Sequence, residues 1–228
     1  MTVWDELAAF LADPATWSGS GSIWARSWEH IWVSIAATLV AVLLILPLAL
    51  WLGHVRRGAE LASAVVNIGR AVPSFGVLAI AFLLLVNLGA GVSTPWPVLV
   101  ALVALAAPPV FTNAVAGILG VDQETVEAAR GMGMRERDVI LRVELPLAMP
   151  LIVEGVRIAF VQVIATATLG ALTAWGGLGR FIIDGFATQD QGEIMVGALL
   201  VAVLAVLAEF GLARAQKATT PRGVLLSS

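Results

Sequence analysis

The chain has 228 residues, of which 59% are hydrophobic and only 13% are charged, and its mean hydropathy is +0.94. A soluble domain has roughly 45 to 50% apolar residues, so this composition predicts an integral membrane protein. The formal net charge of -3 gives no reason to expect a nucleic-acid partner. With no cysteine and only two histidines, a disulfide framework and a thiolate metal centre are excluded, and we expect neither a metal nor a cofactor.

A short helix is predicted before the first long apolar segment, in the stretch "VWDELAAFLADP", and Asp13-Pro14 should end it. The residues expected on its apolar face are Val3, Trp4, Leu7, Ala8 and Leu11. The stretch "SGSGS" that follows is typical of a flexible joint. Because Asp5 and Glu6 stand where a signal peptide would have basic residues, we expect no cleavable signal. Residues 1–27 therefore form a segment of their own.

Five segments are long and apolar enough to cross a membrane, which needs about 20 residues of helix. They cover residues 31–52, 61–88, 98–119, 147–174 and 194–213. The predicted fold is all-α, with one membrane domain of five transmembrane helices over residues 28–213. Pro47, Pro73 and the pair Pro108-Pro109 should kink their helices, because proline lacks the amide that bonds to the preceding turn.

The distribution of Lys and Arg predicts the orientation, because loops rich in these residues stay in the cytoplasm. The basic residues that decide it are Arg56, Arg57, Arg130, Arg135, Arg137, Arg142, Arg214, Lys217 and Arg222. We therefore expect the N-terminus and residues 1–27 outside, and the C-terminal tail, residues 214–228, in the cytoplasm. Five tryptophans near predicted span ends are interpreted as interfacial anchors. They are Trp28, Trp32, Trp51, Trp96 and Trp175.

The polar loop over residues 120–146, called the elbow below, is predicted to form two short helices on the cytoplasmic side. Asp122 caps a helix over 123–130, and the glycines at 131 and 133 break it. A second stretch over 135–144 presents Val139, Leu141 or Ile140, and Val143 to the membrane. Leu145-Pro146 should end this stretch and open the fourth span. An ordinary polar connection explains the charges, whereas the small residues and length favour a docking surface.

The elbow carries a specific motif. Glu127-Ala128-Ala129 is followed after three residues by Gly133, and after nine more by Val143-Glu144-Leu145-Pro146. This resembles the EAA loop of permease subunits of ATP-binding-cassette (ABC) importers, whose pattern is EAA, three residues, G, nine residues and I-x-L-P. The chain departs from it only in the valine that stands for isoleucine.

The resemblance extends over most of the chain. The stretches "RAVPSFGVLAI", "TNAVAGILGVDQETVEAARGMGM", "GVRIA" and "GGLGRFIIDG" are similar to permeases for osmoprotectants such as glycine betaine, choline, carnitine or proline betaine. The resemblance implies a type I ABC importer permease in a bacterial cell membrane. Its implied partners are a cytoplasmic ATPase, an extracytoplasmic substrate-binding protein, membrane lipid and a second permease chain, identical or homologous.

The sequence has no phosphate-binding loop of the form G-x-x-x-x-G-K-[ST], and its only lysine, Lys217, stands in "RAQKAT". ATP would therefore be hydrolysed on the partner subunit, and this chain is not expected to be an enzyme. The residues expected to couple to that ATPase are Glu127, Ala128, Ala129, Gly131, Gly133, Leu145 and Pro146. Glu127 has two readings, as a salt-bridge or capping partner inside the elbow or as a contact across the subunit interface.

Polar groups inside spans are costly, so they are candidates for lining a pathway, although each could equally bond to a neighbouring helix. The candidates for the pathway or its gate are Asn67, Arg70, Pro73, Asn113, Gln162, Thr166, Gly177 and Gly179. The last two belong to an outer segment that is either a plain loop or a gate meeting the binding protein. Glu154 and Arg157, three apart on one helix, should pair with each other.

Three other functions are alternatives to the transport of an osmoprotectant. The chain could be the permease of a methionine or other amino-acid ABC importer, because these permeases share the five-span core. It could also be a non-transporting membrane scaffold whose elbow recruits a soluble partner. A membrane-embedded enzyme would need paired carboxylates, a histidine cluster or an activated nucleophile at membrane depth, and none is evident.

Overall fold

The computed structural model describes residues 2–56, 58, 64 and 72–219, and within them it contains helices and no strand. The long helices are joined by shorter 3-10, α and π elements. In chain order the elements are α1 (Val3–Ala12), a 3-10 turn (Pro14–Trp17), α2 (Ile23–Val55), α3 (Ser74–Asn87), α4 (Trp96–Leu119), α5 (Gln123–Gly131), α6 (Glu136–Val139), a π turn (Ile140–Glu144), α7 (Leu145–Thr166), a 3-10 segment (Ala167–Thr173), α8 (Gly179–Thr188) and α9 (Gln191–Thr219).

Four helical stretches in the described part of the chain are long and apolar enough to cross a membrane. They are Ile23–Val55, Trp96–Leu119, Glu136–Thr173 and Gln191–Arg214, and they correspond to the first, third, fourth and fifth predicted spans. The second predicted span is represented by α3, a shorter apolar helix. Residues 61–63 and 65–71 of that span lie outside the described residues.

The prolines take two kinds of position. The helices α2 and α4 continue through Pro47 and through Pro108-Pro109, so kinks there stay a prediction. Pro73, however, is the non-helical N-cap of α3, and Val72 before it is non-helical as well, so no continuous helix runs through this proline. The expected kink at Pro73 is therefore wrong. A helix start suits proline because no intrahelical donor is needed there.

Helix α4 lies at the centre of the bundle, with α2, α3 and α7 packed against it. The contact with α7 is close because glycines stand where the helices approach. A Cβ added to Gly155 would lie 2.7 Å from the carbonyl oxygen of Pro109, and one added to Gly117 would lie 3.1 Å from Cβ of Ala148. Small residues allow such close approach, which gives van der Waals contact where the lipid supplies no hydrophobic driving force.

Helix α1 forms where it was predicted, but it buries a different face. Leu7 and Phe10 pack against the cluster formed by α8 and α9, with the ring of Phe10 edge-on to Phe181 at a centroid distance of 6.0 Å. Of the predicted apolar face, Leu7 packs inward, but Trp4 is 64% exposed and Leu11 is 40% exposed, so that part of the prediction is wrong. The reason is tertiary: the backbone of α1 at Glu6 lies directly against α9 at Gly192, which fixes the rotation of the helix.

Trp175 corrects a second expectation. The side chains of Trp28, Trp51 and Trp96 are exposed, as interfacial anchors would be, but Trp175 is buried. Its ring is edge-on to that of Trp32, at a centroid distance of 6.5 Å, and belongs to the main apolar core. The chain turns back onto α2 at this point, so the indole contacts protein.

The elbow has the predicted two-helix form with two differences. Val139 is fully buried in a small core inside the elbow, so it does not face the membrane. Leu145-Pro146 does not end the second stretch, because α6 and the π turn run directly into α7. The amide of Leu145 bonds to the carbonyl of Ile140, five residues back. Pro146 then lies in the first turn of α7, where its missing donor is tolerated.

Candidate functional site

The elbow is held in shape by its own small core. Val126 and Ala129 of α5 are buried against Val121 and Val139, so one face of the short helix is anchored. The carboxylate of Asp122 accepts a hydrogen bond from the amide of Glu124 at 3.1 Å and caps the helix as predicted. The opposite face of α5 is consequently presented outward in a fixed orientation.

The predicted coupling residues divide between that outward face and the base of the elbow. Glu127, Ala128, Gly131 and Gly133 are exposed, whereas Ala129 is buried in the elbow core. Leu145 and Pro146 lie at the start of α7, where Leu145 packs against the cluster between α2, α4 and α7. The four exposed residues thus lie in or just after α5. Among the described residues, Glu127 forms no ion pair, although its charge contributes to the raised pKa of Arg130, so both of its readings stay predictions.

A chain of ionic contacts links the elbow to the end of α2. Arg130 holds Glu136 with two donors, Nε at 3.1 Å from Oε1 and Nη2 at 3.0 Å from Oε2. This hydrogen bond raises the pKa of Arg130 above its ordinary value, because the carboxylate stabilises the charged guanidinium. The same Oε2 of Glu136 lies 2.9 Å from Nε2 of His54, and Nδ1 of His54 lies 2.6 Å from Oε2 of Glu144.

These residues line an open cleft of about 320 Å³ between the end of α2 and the elbow. Arg56 closes one side, where its Nη2 donates to the carbonyl oxygen of Val121 at 3.2 Å. Sequence reasoning did not single out His54, Glu136 or Glu144. The available signal was a histidine at the end of an apolar span and a glutamate at the start of another, since ionisable groups at such places need partners.

At the other end of the bundle, the segment that carries Gly177 is clamped to α2. The amide of Gly177, whose φ is +85°, donates to Oε2 of Glu29 at 2.8 Å, and the amide of Leu178 donates to Nδ1 of His30 at 3.3 Å. The Nε2 of His30, fully buried, lies 2.9 Å from the carbonyl oxygen of Ile164. Gly179, also buried, starts α8 against the backbone of Thr168. The outer segment is therefore an ordered, hydrogen-bonded turn.

The polar pathway candidates are mostly satisfied within their own helices. Asn113 donates to the carbonyl of Pro109 at 2.9 Å, and Thr166 donates to that of Gln162 at 2.7 Å. Gln162 is exposed and reaches across to the carbonyl of Leu105 at 3.4 Å. Asn67 and Arg70 lie outside the described residues. The described candidates Asn113, Gln162 and Thr166 are thus not hydrogen-bonded to one another through their side chains.

Glu154 and Arg157 pair at 2.7 Å, which confirms the predicted contact, and Arg157 also reaches Glu209 of α9 at 3.3 Å. Within the part of the chain that the structure describes, no group of three His, Asp or Glu side chains is arranged to hold a metal ion.

Comparison with known proteins places these features in a family. The family described as "Binding-protein-dependent transport system inner membrane component" matches residues 45–222. The choline transport system permease protein OpuBB of Bacillus subtilis (strain 168) is 33% identical over 207 residues, covering 91% of this chain and 93% of that protein. The carnitine transport permease protein OpuCB of Listeria monocytogenes is 33% identical over 199 residues, covering 87% and 88%.

Solved structures agree on the fold. An inward-facing structure of the MetNI methionine ABC transporter has a TM-score of 0.78 at 23% identity, covering 92% of this chain and 100% of the other. A second inward-facing form has a TM-score of 0.76 at 24% identity, covering 85% and 94%. The expected type I ABC importer permease fold is therefore confirmed. The chain belongs to the binding-protein-dependent transport system inner membrane components, the permease subunits of ABC importers.

Proposed function

We propose that this permease forms the translocation pathway for a quaternary ammonium compatible solute, such as glycine betaine, choline, carnitine or proline betaine. The observation that carries the proposal is sequence identity of 31 to 33% with choline, carnitine and glycine betaine permeases, over at least 87% of this chain. The similarity to methionine transporter structures is lower and bears on the fold alone.

The elbow is the proposed site of coupling to a separate ATPase, which hydrolyses ATP. Four features support this. Helix α5 is anchored by its inner face, and its outer face carries Glu127 and Ala128. The small residues at 131 and 133 let another surface approach, and Glu127 lacks an ion-pair partner among the described residues. Closure of the ATPase would move the elbow and tilt the spans between inward and outward openings. Ala129, Leu145 and Pro146 act as the support of that surface.

The pathway is proposed to lie between two permease chains, identical or homologous. The cavity that Thr166 lines inside this chain measures about 10 Å³, room for no more than about one water. A solute with three methyl groups on nitrogen needs far more space, and a twofold pair of chains supplies it. Asn113, Gln162 and the helix start at Pro73 are candidates to line this pathway, as are Asn67 and Arg70.

The turn at Gly177 and Gly179 is proposed as the outer gate, which meets an extracytoplasmic substrate-binding protein. Its support is the clamp to α2 through Glu29 and His30, a contact that must break for this turn to move. We further propose that residues 1–27 lie outside the cell, that residues 28–213 form the membrane domain, and that residues 214–228 are cytoplasmic. The elbow, which carries four arginines, then faces the cytoplasm, as the positive-inside rule predicts.

The proposal is tested by ATP-dependent uptake in proteoliposomes that hold this chain with its ATPase and binding protein. Radiolabelled glycine betaine, choline and proline are offered, with methionine as the outgroup. We expect uptake of a quaternary ammonium compound. Uptake of methionine alone would keep the permease and overturn the solute, while an assembled, ATP-hydrolysing complex that takes up none of them would support the scaffold.

The coupling surface has its own variant. Glu127→Arg reverses the charge of an exposed side chain without disturbing the elbow core, so the chain should insert and fold normally. We expect uptake to be lost, because interface charges set the register of docking. Pull-down of the ATPase by the permease variant measures directly whether docking is lost. Normal ATPase binding and normal uptake in this variant would contradict the docking role.

A further inference from the structure

His54 lies between two carboxylates from different parts of the elbow, Glu144 at 2.6 Å and Glu136 at 2.9 Å. Each of the two ring nitrogens therefore lies within hydrogen-bond distance of a carboxylate oxygen, so the imidazole bridges the two glutamates. His54 also belongs to the last turn of α2, where the exposed carbonyls form the negative end of the helix dipole. The position thus favours a cation on the end of α2.

The contact between His54 and Glu144 is buried. The side chain of Glu144 is 1% exposed and that of His54 is 8% exposed. A buried carboxyl group requires a hydrogen-bond partner, because removal of that partner leaves a polar group unsatisfied and out of water. The end of α2 and the π turn before α7 are therefore held together by a contact that the protein cannot easily exchange for water.

The contact with Glu136 extends this link to the coupling surface. Glu136 is at the same time bound by both donors of Arg130, which stands next to the last residue of α5. The ionic path therefore runs from α5 through Arg130 and Glu136 to His54 and so to α2. The elbow also has a small apolar core of its own. That core contains no residue of α2.

Helix α2 is rigidly seated at this point. A Cβ added to Gly53, the neighbour of His54, would lie 2.8 Å from Cβ of Ile118 in α4, so the two helices touch with no free space. Close-packed interiors transmit displacement, since they have no voids to absorb it. A displacement of α5 that also moves His54 would therefore move α2 and α4 with it.

We propose that His54 is a positioning residue for transport: it passes the movement of the elbow to α2, so that ATP hydrolysis and solute movement stay coupled. The inference rests on the proposed function, in which an ATPase moves the elbow. His54, together with Glu136 and Glu144, would then transmit movement from the docking surface to the membrane spans.

The test compares solute uptake per ATP hydrolysed in proteoliposomes containing the permease, its ATPase and its binding protein, with glycine betaine as the probe. For His54→Gln and for Glu136→Gln we expect ATP hydrolysis to continue and uptake per ATP to fall at least about threefold. A structural role alone would lower assembly, hydrolysis and uptake in proportion. The control is Glu209→Gln, which weakens another interhelical ion pair remote from the elbow and should leave the ratio unchanged.

The double variant His54→Gln/Glu136→Gln sharpens the test, because two residues that act through one contact show non-additive effects. We expect the uptake per ATP hydrolysed of the double variant to equal that of Glu136→Gln alone. A multiplied loss, or a normal ratio in either single variant, would overturn the inference and leave the proposed function intact. If His54→Gln does not assemble, Glu136→Gln decides, because its side chain is 60% exposed and tolerates the change. If the parent complex imports none of the solutes, both the function and this inference fall.

Discussion

Gly131 and Gly133 belong to the same exposed turn of the elbow, yet their backbones make different demands. Gly133 has a φ of +83°, a conformation in which a Cβ crowds the following carbonyl. Gly131 is the last residue of α5, and its φ is not in the left-handed region. Neither has an atom within 4 Å of an added Cβ, so space does not distinguish them. Backbone strain alone separates the two positions.

This difference predicts the outcome of two alanine substitutions. Gly133→Ala should destabilise the elbow by about 1 to 2 kcal/mol because of the left-handed backbone, whereas Gly131→Ala should stabilise α5 by up to about 1 kcal/mol. Hydrogen exchange of the amides of α5 measures this locally. We expect exchange to be roughly 5 to 30 times faster in Gly133→Ala and no faster in Gly131→Ala. Equal exchange in the two variants would contradict the assignment.

Among helices, the glycines of the α4 and α7 contact decide how closely the bundle packs. Gly155 faces the backbone of Pro109 and the side chain of Asn113, with no room for a methyl group. Gly211 of α9 is also helical, but nothing lies within 4 Å of its added Cβ in this chain. The pair therefore separates packing from helix propensity.

We expect Gly155→Ala to destabilise the chain by about 1 to 3 kcal/mol, since α4 and α7 must move apart to admit the methyl group. Gly211→Ala should be neutral or stabilising by up to about 1 kcal/mol, because alanine is the better helix former. Thermal unfolding of the detergent-solubilised permease checks both. A melting temperature for Gly155→Ala that matches the parent would show that the two helices are not in close contact.

The sequence predicted the elements that nearby residues specify, but not the features that depend on residues far apart in the chain. Hydropathy and length located the first, third, fourth and fifth spans, and cap residues such as Asp122 located the start of α5, because each signal lies in neighbouring residues. The orientation of α1 was mispredicted, because its buried face depends on Gly192, far along the chain. The continuation of α6 into α7 was also mispredicted, since a π turn leaves no clear local pattern.

For the whole molecule, the proposed topology places the two ionic clusters on opposite sides of the membrane. The cluster around His54 would face the cytoplasm and the clamp at Glu29 and His30 the outside. Helix α2 belongs to both, so it connects the proposed gate to the elbow. This arrangement depends on the orientation, which can be measured directly.

Because the parent chain has no cysteine, single cysteines report orientation without background. Ser20→Cys and Ala187→Cys occupy exposed positions expected outside, and Arg135→Cys replaces a side chain that is 90% exposed in the elbow. In intact cells, a membrane-impermeant maleimide should label the first two at once. It should label the third only after the membrane is permeabilised. The reverse pattern would invert the topology and move the docking surface outside.

The sequence by itself determined the all-helical membrane class, the elbow and the family, because long apolar runs, caps and a spaced motif are properties of neighbouring residues. Only the tertiary structure decided that Trp175 is a core residue, that Glu29 and His30 clamp the turn at Gly177, and that His54 joins α2 to the elbow. The atoms in those contacts come from residues about 80 to 150 positions apart. No local pattern specifies such pairs, since their proximity results from the packing of α2 against α4 and α7.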